Sequence, residues 1–249
     1  MAASAPTLGL TGERTLPGIA EENYWFRRHE AAYLAMAPFC RGARVADAGC
    51  GEGYGAALLH RHGAGRVVGL EMAPDVAGHA GARYPSVASV RGDLAHLPLA
   101  AASLDVVVSA QVIEHLADQP GFIAECARVL RPAGTLLLTT PNRLTFSPGL
   151  ATPVNPFHTR ELSADELTAL IEPRFAVSRL LGVNHGSRLR RWERRRGPLV
   201  DAQLAGPPQS WHPELAGLVR SVSAEDFTIS EHGIDSSLDL FAVGIRRAP

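Results

Sequence analysis

The chain has 249 residues, 46% hydrophobic and 20% charged, with a formal net charge of −1. That length and balance suit one ordinary domain with a sizeable core, or one domain with an insertion, and give no overall pull toward nucleic acid or an anionic membrane. No apolar run approaches the roughly 18–20 residues needed to span a bilayer, and all 24 basic residues are arginine, which excludes a Schiff-base lysine and the lysine of a phosphate-binding P-loop.

The N-terminus, MAASAPTLGLTGERT, lacks a basic stretch followed by an apolar one, so no secretory signal is expected. Cys40, Cys50 and Cys126 have no CxxC spacing, which argues for a reducing compartment, the cytoplasm by default, and against a thiol-ligated metal. An amphipathic helix is expected over Glu21–Phe39, inside a cap segment 1–40.

From residue 43 short apolar runs alternate with helical patterns. Strands are expected at Arg44–Ala48, Arg66–Glu71, Val87–Arg91, Leu104–Ala110 and Thr135–Thr140, with two more at Ala176–Val183 and Leu238–Ile245. Helices fill the gaps: Tyr54–His62 closed by Gly63 and Gly65, one with Pro74 in its first turn, and one opened by Pro120 that ends at Pro132-Ala-Gly134. Ser163-Ala-Asp-Glu166 is a capping box and should start another. Continuous apolar strands separated by helices mean a parallel sheet covered on both faces, an α/β class of Rossmann-like, doubly wound kind. The organisation expected is a cap over 1–40, a core over 41–183, an insertion over 184–237 and a final core strand in 238–249. So long a connection between two strands is usually functional or mobile.

The stretch VADAGCGEGYG, Val45–Gly55, carries the first chemical signal. Gly51-Glu-Gly53-Tyr-Gly55-Ala56 fits the weak dinucleotide pattern G-x-G-x-x-A, which leaves a nicotinamide dehydrogenase open. Asp47 beside the loop is poorly placed for a pyrophosphate, since two like charges would face each other without a counter-ion. It suits a ligand with a cationic or hydrogen-bond-donating end. Glu71, some 20 residues on, stands where an acid binds ribose hydroxyls. Asp93, in Gly92-Asp-Leu-Ala-His-Leu-Pro98, could accept from an adenine amino group. A zwitterionic nucleoside without phosphate answers to all three.

The succession VADAGCGEGYG, VVGLE, GDLAHLPL, LDVVVSAQVIEHL and RVLRPAGTLLLTTPN resembles class I S-adenosylmethionine-dependent methyltransferases over residues 43–183. The resemblance implies a seven-stranded sheet whose last strand runs antiparallel. It implies that Asp47, Gly49 and Gly51 line the methionine end of S-adenosyl-L-methionine, that Glu71 holds the ribose with Met72 beside it, that Asp93 and Leu94 flank the adenine, and that Gln111 closes the pocket. The flanks TGERTLPGIAEENYWFRRHEAAY, TPNRLTFSPGLATPVNPFHTREL and DSSLDLFAVGI are similar to actinobacterial methyltransferases associated with methylglucose lipopolysaccharide synthesis. That implies O-methylation of a saccharide hydroxyl on an α-glucan. A small phenol, quinol or natural product remains an alternative acceptor, and a non-catalytic cofactor-binding protein an alternative of another class. The stretch Ser109-Ala-Gln-Val112 lacks the Asn/Asp-Pro-Pro-Tyr clamp of nucleic-acid amino-methyltransferases.

Catalysis is expected beyond the carboxyl ends of the fourth and fifth strands. A hydroxyl acceptor calls for a base within hydrogen-bond reach. Glu114-His115 and His158 are the candidates, each with the alternative that it only caps or packs a loop. Some ubiquinone-pathway O-methyltransferases carry a metal-binding Glu-x-x-Glu-His cluster in the position of Gln111-Val-Ile-Glu114-His115. Gln111 removes one ligand carboxylate, so no metal is expected. Ser187–Gly197, six arginines around Trp192, reads as a solvated mobile loop or as an acceptor lid, and Tyr24, Trp25 and Phe26 as a cofactor cover or as core.

Overall fold

The computed structural model describes residues 8, 9 and 14–248. The expectations for the opening residues up to 7 and for 10–13 lie outside the described residues, and so does Pro249.

Strands β1 (Arg44–Ala48), β2 (Arg66–Glu71), β3 (Ala88–Arg91), β4 (Leu104–Ala110) and β5 (Leu130–Pro141) form a parallel sheet; its order continues β3-β2-β1-β4-β5-β8-β6-β7 through β6 (Phe175–His185), β7 (Phe227–Ser230) and β8 (Asp239–Arg246). β8 runs antiparallel to both β5 and β6, as expected of the last strand in the chain. The sheet has eight strands rather than the expected seven. The extra one, β7, is an antiparallel edge strand on β6, and its four residues lie inside the stretch read as an insertion.

The central strands are buried on both faces, which is why they read as continuous apolar runs: Val106, Val107 and Val108 are each at most 3% exposed. Helices α1 (Asn23–Cys40) and α2 (Tyr54–Arg61) are grouped in one apolar cluster around Met36, Leu59, Val108 and Leu137. Helices α4 (Gln119–Val129) and α6 (Ala164–Ile171) close the other around Phe122, Ile123, Leu136 and Leu167. α3 (Pro74–Arg83) flanks β2 and β3, and α5 (Arg143–Phe146) is a single turn after β5.

β5 begins at Leu130, five residues before the expected start, because Leu130 pairs with Leu104 and the register then slips before Val106 meets Thr135. The stretch read as a solvated mobile loop or an acceptor lid is helical over Ser187–Arg196: α7 (Ser187–Arg196), α8 (Leu199–Leu204) and α9 (Pro213–Ser221) gather Leu189, Leu199, Leu215 and Val219 into a third cluster with Tyr24 and Phe227.

Candidate functional site

A cavity of about 650 Å³ opens at the carboxyl ends of the parallel strands, within the range of small-molecule sites. Its walls follow the sheet: Gly49 to Glu52 after β1, Glu71 and Met72 at the end of β2, Asp93 and Leu94 after β3, Ala110 to Val112 at the end of β4, and Pro141 ending β5. All the residues proposed for cofactor and chemistry line it except Asp47.

The loop after β1 is shaped by backbone. Gly49 N–H and Cys50 N–H both donate to the Leu70 carbonyl at 2.9 Å, which ties the loop to β2. Gly49 has φ +81°, and a Cβ there would sit 2.6 Å from a Val112 methyl. Gly51 has φ +52° and open space where a side chain would begin, so its backbone is exposed to a ligand. Glu71 accepts the N–H of Gly51 at 3.2 Å and of Ala73 at 3.0 Å, one on each oxygen. Each oxygen keeps a lone pair, so a diol could still be bound. Asp93 accepts from Ala95 N–H at 2.9 Å and stands at the rim beside exposed Met72.

Asp47 lies beneath the cavity, not in its wall. It is fully buried, and Tyr33 of α1 donates its hydroxyl to both carboxylate oxygens at 3.1 and 3.2 Å. Burial pushes the carboxyl up to about 7, against the Tyr33 and Ala56 hydrogen bonds that favour its ionised form. Tyr33 is the group that reaches the cavity. The cap contributes Trp25, Arg28 and His29 as well, while Tyr24 and Phe26 are core. His29 approaches the hydroxyls of Thr15 at 3.3 Å and Tyr54 at 3.4 Å, and burial lowers it to about 4.

The opposite end of the cavity brings together residues far apart in sequence. Glu114 and His115 sit on a single turn after β4, and the loop 155–160 is bonded onto that turn. Thr159 and Arg160 donate their N–H groups to the Glu114 carbonyl at 2.7 and 3.1 Å, and the Thr159 hydroxyl donates to the His115 carbonyl. Gln119 spans both loops, donating to the carbonyls of Ile113 and Arg160 at 2.9 Å. His115 and His158 therefore meet edge to face, ring centres 4.9 Å apart. Glu114 is 1% exposed and accepts the Thr140 hydroxyl at 2.9 Å; burial, with the charges of Asp239 and Glu161, pushes it up to about 8. His158 Nδ1 lies 2.6 Å from Glu161, whose carboxylate is 2% exposed. Sequence reasoning missed Glu161: its only signal was the His-x-x-Glu spacing within FHTREL. Gln111 turns the chain at the end of β4 with φ +57°, a conformation costly for a residue with a side chain. Asn142 points away, donating to the carbonyls of Ile234, Asp235 and Ser237 and fixing that loop over the end of β5. Of residues 184–237 only Leu204 reaches the cavity wall; Trp192 packs into the third cluster instead.

Residues 46–138 match the family model described as a methyltransferase domain. A Mycolicibacterium smegmatis protein named "Probable S-adenosylmethionine-dependent methyltransferase" is 52% identical over 96% of this chain and 95% of its own length. A Mycobacterium tuberculosis protein with the same description is 50% identical over 98% and 92%. The chain belongs to the S-adenosylmethionine-dependent methyltransferase family. S-adenosylmethionine is its cofactor. The solved S-adenosylmethionine-dependent methyltransferase of Mesorhizobium loti shares the methyltransferase's fold, with TM-score 0.58 and 23% identity over 93% of this chain and all of that one. So does the [4+2]-cyclase SpnF, with TM-score 0.61 and 20% identity over 89% and 82%, so the fold alone does not specify the chemistry. No described helix of the methyltransferase is long and apolar enough to cross a membrane.

Proposed function

We propose that this methyltransferase acts on a hydroxyl, that of a saccharide of the α-glucan type. The observation that carries the oxygen acceptor is the corner of Glu114, His115 and His158 at the end of the cavity, with Glu161 behind it. Two relatives that match only part of the chain are named O-methyltransferases, one acting on malonyl-[acyl-carrier protein] (Serratia marcescens, 35% identical over 43% of this chain) and one in ubiquinone biosynthesis (Xanthomonas campestris, 36% over 45%). The saccharide rests on the resemblance of the flanking segments to methyltransferases of methylglucose lipopolysaccharide synthesis.

Bound S-adenosylmethionine supplies an electrophilic methyl group on its sulfonium. In this reading Gly49 and Gly51 approach the methionine end closely, and Asp47 acts there through Tyr33. Glu71 takes the ribose hydroxyls, with Met72 alongside, Asp93 and Leu94 flank the adenine, and Gln111 closes the wall. The corner orients the acceptor hydroxyl and removes its proton, an effect worth about 10²–10⁴-fold. A second reading, a phenol or quinol acceptor, draws support from the apolar mouth, where Val154, Phe157 and Leu204 line the cavity and are 44–57% exposed.

The test is transfer of labelled methyl to a panel of short α-1,4-glucans, with and without an acidic end, and of phenols and quinols. Label on a glucan is expected. Label only on an aromatic acceptor would move the assignment to the second reading, and no label despite tight S-adenosylhomocysteine binding would point to a non-catalytic binder. His115→Ala and His158→Ala should each abolish turnover and leave cofactor binding intact; full activity in both would remove the corner from the chemistry.

A further inference from the structure

The donor atoms of Glu114, His115 and His158, one from each side chain, lie within 4.8 Å of one another. What sets the trio apart from a chance cluster is the outer partner of each ring. His115 Nδ1 is 2.9 Å from the Phe157 carbonyl, which can only accept, so Nδ1 carries the proton and Nε2 the lone pair. His158 Nδ1 is 2.6 Å from the Glu161 carboxylate, which fixes the same tautomer. A carbonyl and a carboxylate on the far nitrogen are what orient ligand histidines in metal sites. Glu161 adds an independent sign: it is 2% exposed and its Oε2 has no partner. A buried carboxylate bonded so thinly gains from positive charge nearby, and an imidazole bound to a cation would provide it.

We propose that Glu114, His115 and His158 bind a divalent first-row transition cation at the acceptor end of the cavity, with Glu161 holding His158 in position. Two imidazole nitrogens and one carboxylate oxygen suit manganese, iron, cobalt or zinc better than magnesium, which prefers an all-oxygen shell. Metal–ligand distances of about 2.0–2.2 Å put tetrahedral ligand atoms about 3.3–3.6 Å apart, so the trio draws together by up to about 1.5 Å to close on a cation. The Asn155 amide, 3.1 Å from His158 Nε2, gives way as it does. Three protein ligands leave open positions for acceptor oxygens. A cation held by the trio would polarise an acceptor hydroxyl and make its proton easier to lose, so the corner would activate the hydroxyl through the cation. This role rests on the hydroxyl-acceptor reading; the binding does not. The expectation of metal independence weighed only the stretch from Gln111 to His115, and the third ligand comes from a loop some 40 residues on.

The test uses untagged full-length protein stripped with a chelator and titrated with Co²⁺, read by its visible absorption. One equivalent should bind, be displaced by excess Zn²⁺, and resist millimolar Mg²⁺. His158→Ala should abolish the band, and Glu161→Gln should weaken binding about 10–100-fold. S-adenosylhomocysteine binding by both variants checks that they fold, and His115→Ala serves if His158→Ala does not. The absence of a band in the wild-type protein, or a band unchanged in the folded variants, would overturn the site. Undiminished methyl transfer by the stripped enzyme would overturn the cation's place in the reaction. Co²⁺ binding with no methyl transfer to any hydroxyl would sink the acceptor reading and leave the site standing.

Discussion

Asp47 is enclosed by protein, yet its two oxygens are bonded by a neutral hydroxyl rather than a cation. Its folded pKa of about 7 stands above the ordinary 3.8. Between those values the folded protein holds a proton that the unfolded chain has released. The stabilisation is therefore fully present below about pH 4 and lost as pH rises through 7. Asp47→Asn keeps an acceptor for Tyr33 and removes the titration. Its stability should exceed that of the wild type at about pH 8 by up to about 4 kcal/mol, with a much smaller difference at about pH 5. Urea midpoints at the two pH values measure this, and equal differences at both would place the buried proton elsewhere. Which residues were legible in the sequence follows from the same geometry. The positions of Gly49, Gly51 and Glu71 could be read because each sits at a strand end that its own apolar run announces, and that of Asp93 because it stands in the Gly92-Asp-Leu-Ala-His-Leu-Pro98 stretch. That Asp47 lies under Tyr33 could not, because the tyrosine comes from a helix 14 residues earlier and no local pattern sets its direction.

Elements were legible wherever local chemistry decides them. The capping box at the start of α6 is present as expected: the Glu166 N–H donates to Ser163 Oγ at 3.3 Å, and the Ser163 N–H to Glu166 Oε2 at 2.8 Å. The adjoining Leu162 carbonyl accepts Arg143 N–H at 3.0 Å, which ties the start of α6 to the turn after β5. Ser163→Ala should cost about 1 kcal/mol and lower Tm by about 2–4 °C, with cofactor affinity unchanged. Calorimetry beside a cofactor titration checks both, and no shift in Tm would mean that Glu166 alone caps the helix. Elements governed by tertiary packing were missed. β7 is four residues long and exists because β6 offers it an edge. α7 is so rich in arginine that its one fully buried side chain, Leu189, gives no helical period to read.

At the scale of the molecule, the N-terminal helix α1, whose side chains line the cavity, is joined to the sheet by a buried ion pair. The Arg28 guanidinium of α1 and the Asp239 carboxylate of β8 are each about 2% exposed, with Nε 2.6 Å from Oδ2 and a second bond from Nη2 to Oδ1. Arg28 also donates to the Leu238 carbonyl at 2.9 Å, so the first helix grips the last strand across some 210 residues of chain. Around this pair Tyr24, Val183, Leu189, Leu215 and Phe227 form one apolar cluster, which merges the cap and the 184–237 segment into a single packed unit. Removing one partner strands a charge that burial has stripped of water. Arg28→Ala should therefore cost about 3–5 kcal/mol, and it should weaken cofactor binding because Trp25, His29 and Tyr33 of the same helix line the cavity. Replacing both partners with apolar residues, Arg28→Met with Asp239→Leu, removes the stranded charge and should recover most of that loss. If the cap and the sheet unfold as one unit, the slope of the urea transition stays constant across the three proteins and only the midpoint moves. A cost below about 1 kcal/mol for Arg28→Ala, or a double variant no better than the single, would show that the apolar cluster and not the ion pair seats the cap.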